Sequence, residues 1–74
     1  MASKTAELRN MDTEELETRL NDTRQELFTL RFQLVTGQLD NSARIGEVRR
    51  TVARMETILR EREIEAAEAA EERE

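Results

Sequence analysis

The sequence predicts an all-α fold, a long antiparallel two-helix hairpin of coiled-coil type. Three observations predict it. Apolar residues recur at alternating steps of four and three along two separate stretches, which is the seam of a coiled coil. Proline is absent, and one of only two glycines, Gly37, falls between the two stretches. Charged residues make up 39% of the chain, with no Trp or Tyr, a profile that suits surface-rich helices better than a compact globule.

Each element can be justified in turn. The first ten residues admit a short extra helix through Ala6, Leu8 and Met11. The segment "NMDTEEL" then starts the first long helix. Asp12 is placed as N-cap, with Glu15 reaching back as in a capping box, and the acids suit the positive end of the helix dipole. The seam follows as Leu16, Leu20, Leu27, Leu30 and Leu34, with Thr23 in the remaining slot. Gly37 ends this helix because it takes a left-handed backbone without a Cβ clash. Asp40 or Asn41 is placed to cap the second helix, whose seam is Ile45, Val48, Val52, Met55 and Leu59.

The two seams agree with each other. Facing positions in an antiparallel hairpin have a nearly constant sum. It is 79 for Leu34 with Ile45, Leu27 with Val52 and Leu20 with Leu59, and 78 for Leu30 with Val48 and Thr23 with Met55. One hairpin folded about residues 39–40 therefore closes both stripes layer by layer. The expected domain is residues 1–65, with helices over about 12–36 and 41–65 and a turn at about 37–40. Each arm would span about 35 Å. Residues 66–74 form an acidic tail, a helical extension or disordered. It favours helix by propensity but has no face to bury, so fraying into solvent is expected.

Composition excludes several function classes. Seventy-four residues allow one domain, and a chain this short buries too little surface to be very stable alone. No Cys and no His occur, which removes disulfides, a thiolate nucleophile, an imidazole base and a conventional zinc site. The phosphate-cradling glycine motif of nucleotide enzymes is missing too. The chain is therefore expected not to be an enzyme and to take no cofactor, metal or small-molecule substrate. Its apolar runs are only a few residues long, too short to span a membrane. "MASKTAELRN" lacks the apolar core of a secretory signal, so a cytoplasmic location is expected.

The net charge of −5 argues against a polyanionic partner until its distribution is seen. Residues 1–30 carry −3 and residues 61–74 carry −5, but residues 31–60 carry +3. A local patch, not the total, decides what docks. On a helical wheel of residues 44–62, Gly46, Ala53 and Thr57 form a narrow strip away from the seam. Arg49 and Arg60 border it on one side and Arg50 and Arg54 on the other. Small side chains flanked by guanidinium groups let a sugar-phosphate backbone approach closely. The bland alternative is a solvent face that lacks bulk.

Two further groups call for a partner. Gln33, Thr36, Gln38, Asn41 and Ser42, with Arg31 and Arg44 beside them, cluster at the hairpin tip. Amides and hydroxyls can bond phosphate, ribose and base edges, as structured RNA requires, although Asn41 and Ser42 also serve as helix caps. Phe28, Phe32 and Val35 lie more than a quarter turn from the seam. A two-helix hairpin leaves such a stripe exposed, and exposed apolar strips mark contacts: protein, RNA, a folded-back N-terminus or a broadened hairpin interface.

Residues 8–62 resemble the bacterial-type large-subunit ribosomal protein L-twenty-nine family. "ELFTLRFQ", "TGQLDN" and "RIGEVRRTVARMETILRER" carry the resemblance, in that order. It implies a helical hairpin with a structural role in the large ribosomal subunit, binding large-subunit ribosomal RNA near the exit of the peptide tunnel. It also implies ribosomal protein L-twenty-three as neighbour, with nascent-chain chaperones and targeting factors docking close by. Arg31, Gln33, Thr36, Gly37, Gln38, Asn41, Arg44, Arg49, Arg50, Arg54 and Thr57 match the family pattern. Gly46 departs from the basic residue often found there, and the tail beyond Arg62 is outside the resemblance. The alternative from another class is an antiparallel coiled-coil module that holds a partner helix through Phe28, Phe32 and Val35, with no RNA role. More remote still is an accessory subunit of an enzyme.

Overall fold

The computed structural model describes residues 4–39 and 42–72. Among the described residues three helices follow one another: α1 (Lys4–Arg9), α2 (Thr13–Val35) and α3 (Ala43–Glu72). They form a rod measuring 56 × 28 × 16 Å. Helices α2 and α3 pack antiparallel, as the seams predict. Arg62 reaches Thr13 at the open end of the hairpin, Arg24 reaches Glu56 midway, and Arg44 reaches Glu26 nearer the tip.

The start of α2 differs from expectation. Asp12 stands in the N-cap position with extended backbone, and its carbonyl accepts from the Leu16 amide at 2.9 Å. Its side chain makes no capping bond, so the capping box does not form. The chain arrives from α1 only three residues after Arg9, and its path is fixed by tertiary bonds instead. Arg62 donates to the Arg9 carbonyl at 2.9 Å and to Thr13 Oγ1 at 3.2 Å.

The end of α2 is where Gly37 does what its chemistry suggests. Its φ is +77°, the left-handed region that a Cβ disfavours. The Gln38 amide donates to the Gln33 carbonyl at 2.8 Å and the Gly37 amide to the Leu34 carbonyl at 3.2 Å, the paired bonds of a Schellman stop. The cap candidates Asp40 and Asn41 lie outside the described residues. Helix α3 begins at Ala43, and the Ile45 amide donates to the Ser42 carbonyl at 3.1 Å. From there α3 runs unbroken through the acidic extension to Glu72, its last residues exposed.

Burial along the seam is graded rather than even. Leu16, Leu20, Val48 and Met55 are buried, Leu27, Leu30, Ile45, Val52 and Leu59 are half-buried, and Leu34 is 46% exposed. Two helices alone leave a seam open along both edges. At the open end α1 closes one edge: Leu8 joins Leu16, Leu20, Met55 and Ile58 in one cluster, with Met11 against it. Ile58 is off the predicted seam yet only 2% exposed. It belongs to the face that α1 covers. Toward the tip nothing among the described residues plays that part, and Leu34 stays half in water.

Candidate nucleic-acid interface

The strip on the outer face of α3 is laid out as the helical wheel predicts, and its surroundings sharpen the reading. Gly46 and Ala53 floor a shallow groove between Arg49 and Arg50. Ala53 and Thr57 continue into a second groove, beside Arg60, Leu20 and Arg24. They also floor a third, beside Arg54 and the residues of α1. Ala53 is thus where three concavities meet, each with an arginine in its lining, and the second is lined by Glu56 and Glu63 as well.

Ion pairing decides which of those charges remain available. Glu56, which lines the second groove, is taken by Arg24 at 2.6 Å, and Glu47 is taken by Arg44 at 3.1 Å. Arg49, Arg50, Arg54 and Arg60 are exposed and make no ion pair among the described residues. Exposed pairs contribute little stability. Their effect here is on the electrostatic field, because they neutralise Glu56 and Glu47, leaving Glu63 as a carboxylate that lines the second groove beside Arg60.

Gly46 contributes flatness. A Cβ built there would meet only the Arg50 guanidinium, with Nη1 at 3.6 Å and Nη2 at 3.9 Å. Arg50 therefore lies back over the gap that the glycine leaves. Those distances are ordinary contacts. Replacing Gly46 with alanine is expected to stabilise the fold by about 0.5–1 kcal/mol through helix propensity. A thermal melt followed by circular dichroism should shift upward by several degrees; an unchanged or lower midpoint would show that the glycine is needed for packing.

Other expected contacts are placed less simply. Arg44 is held by Glu26 at 2.7 Å as well as by Glu47. Its hydrogen bonds to Glu26 and Glu47, and their charges, raise its already high pKa. Its charge is matched within the protein. The Thr57 hydroxyl donates to the Ala53 carbonyl at 2.8 Å, and Thr36 Oγ1 lies 3.2 Å from the carbonyls of Phe32 and Gln33. Each hydroxyl has one proton, so as placed neither donates it to a phosphate. Gln33 and Gln38 are tied together through the Schellman bonds, Arg31 is exposed beside them with no ion pair among the described residues, and Asn41 lies outside the described residues.

The apolar stripe is exposed as predicted. Phe28 is 72%, Phe32 60% and Val35 85% accessible. It flanks the hairpin on the side of Arg24, away from α1.

Among the described residues no side-chain cluster could hold a metal ion and no helix is long and apolar enough to cross a membrane. Residues 6–62 match the family model described as Ribosomal L29 protein. A "Large ribosomal subunit protein uL29" from Halalkalibacterium halodurans is 59% identical over 61 residues, which is 82% of this chain and 91% of that one. Proteins of the same name from Moorella thermoacetica and Staphylococcus aureus are 54% and 52% identical over 66 residues. Those residues are 89% of this chain and 98% and 96% of theirs. The chain belongs to the ribosomal L29 protein family, a family of ribosomal proteins rather than enzymes.

Proposed function

We propose that the chain is a non-catalytic structural component of the large ribosomal subunit that binds large-subunit ribosomal RNA. The observation that carries this reading is the set of four unpaired arginines around the Gly46, Ala53 and Thr57 strip. Arg49, Arg50, Arg54 and Arg60 hold phosphates while the small residues let the backbone come close. At the tip, Arg31, Gln33, Gln38, Asn41 and Arg44 bind the folded RNA around it, and Thr36 offers its hydroxyl oxygen as an acceptor. Arg44 keeps its carboxylate partners and serves through the N–H groups they leave over.

The family resemblance supports a finer placement. The hairpin sits near the exit of the peptide tunnel with ribosomal protein L-twenty-three as its neighbour. Nascent-chain chaperones and targeting factors dock close by. Phe28, Phe32 and Val35 are the surface offered to protein.

The test is salt. The full chain is titrated onto a transcript of bacterial large-subunit ribosomal RNA at increasing potassium chloride. With about five phosphates neutralised, log affinity should fall linearly with log salt at a slope of about −4. Affinity that barely responds would favour the coiled-coil interaction module instead.

A further inference from the structure

The third groove brings a second helix to the strip. Resting on the RNA-binding reading above, we propose that α1 forms the other wall of the polynucleotide groove and that Arg9 is a further phosphate-binding residue. Thr5 and Arg9 of α1 face Ala53, Arg54, Thr57 and Ile58 of α3 across one cleft. Ala53 and Thr57 are shared with the grooves already described. A backbone lying along the strip therefore passes Arg54 on one wall and Arg9 on the other.

The geometry holds Arg9 in place for this. Its Nη1 donates to Glu61 Oε2 at 2.9 Å, and the two side chains are 53% and 43% exposed. A guanidinium has five N–H donors, so one such bond leaves others for a phosphate. Glu61 stands two turns beyond Arg54 on the same side of α3, where an unpaired carboxylate would repel a polyanion; Arg9 cancels it. A helix of six residues would not hold this position alone. Arg62 supplies the anchor, donating to the Arg9 carbonyl at 2.9 Å and to Thr13 Oγ1 at 3.2 Å. The opposite edge of α1 opens on a separate cleft, where Glu7, Leu8 and Met11 meet Arg19. Arg19 is exposed too and makes no ion pair among the described residues, but it lies on the side away from the strip.

This contrast supplies the experiment. Full-length Arg9→Gln, Glu61→Gln and Arg19→Gln variants are titrated onto the same ribosomal RNA transcript across a salt series. Measurements are made where circular dichroism shows native helicity. Arg9→Gln should weaken binding several-fold and make the log–log slope shallower, though by less than an unpaired arginine does, because Glu61 already holds one of its N–H groups. Glu61→Gln should tighten binding, and Arg19→Gln should leave the slope unchanged. If Arg9→Gln and Glu61→Gln weaken binding alike with an unchanged slope, the pair only supports the fold and the proposal fails. It fails equally if Arg19→Gln matches Arg9→Gln, because general charge would then be the cause. A variant combining Arg49→Gln, Arg50→Gln and Arg54→Gln separates the two levels. A shallower slope there but not for Arg9→Gln rejects the role of α1 alone, and no change in either rejects the RNA-binding reading itself.

Discussion

Replacing Leu16 by alanine should leave most of the protein unfolded at 37 °C. Leu16 has no exposed surface and lies where all three helices meet, in contact range of the cluster formed by Leu8, Leu20, Met55 and Ile58. Truncating a fully buried leucine costs about 2–5 kcal/mol, the lost transfer free energy plus the cavity left behind. A chain of this length has only about 4–11 kcal/mol in total, and small elongated domains lie toward the lower end. The matching change at the tip, Leu34→Ala, should cost under about 1 kcal/mol because Leu34 is already 46% exposed. Both residues occupy the same stripe at the same heptad spacing. Thermal melts of the two variants measure the difference. Equal losses would contradict a core concentrated at the α1 end.

That contrast also marks what could be read from residues alone. The period of the seam, the constant sum of facing positions and a glycine between the two seams were enough for the hairpin. Those signals are local or depend on one pairing. The gradient of burial was not legible, because it depends on where a third element lies. Leu8 and Ile58 become core only when α1 folds onto α3, and a six-residue helix has too little periodicity to announce its partner. One signal was available: Ile58 beside Leu59 widens the apolar face at the end of the hairpin where Leu8 and Met11 lack a partner. The capping box failed for a related reason. Local chemistry favoured it, but Arg62 fixes the chain path from another helix.

The arginine-bordered strip was legible in the positions of its residues and not in its charge balance. The wheel put Gly46, Ala53 and Thr57 between four arginines. It could not show that Glu56 and Glu47 are drawn off by Arg24 and Arg44, which lessens the acidic offset to the strip within a chain of net charge −5. Nor could it show that Thr57 spends its hydroxyl proton on Ala53. Side-chain hydrogen bonds of this kind are set by rotamers, which a linear pattern does not encode.

The strongest functional effect is expected from Arg49→Gln, Arg50→Gln and Arg54→Gln combined. Ribosomal RNA affinity should fall about a hundredfold or more near 0.1 M salt, and the log–log slope should become shallower by about two to three, roughly one phosphate for each charge removed. The fold should be unaffected, for three reasons. Glutamine is about as good a helix former as arginine. All three side chains are exposed and surrender no ion pair, and surface changes of this kind usually stay within about 0.5 kcal/mol. Helicity measured by circular dichroism should therefore match the parent while binding collapses. Arg44→Gln provides the internal comparison. Its guanidinium is already matched by Glu26 and Glu47, so its removal should change the slope much less per charge. Retained affinity in the triple variant would place the RNA elsewhere on the rod. An effect of Arg44→Gln as large per charge would mean that ion pairing inside the protein does not decide which arginines the RNA can use.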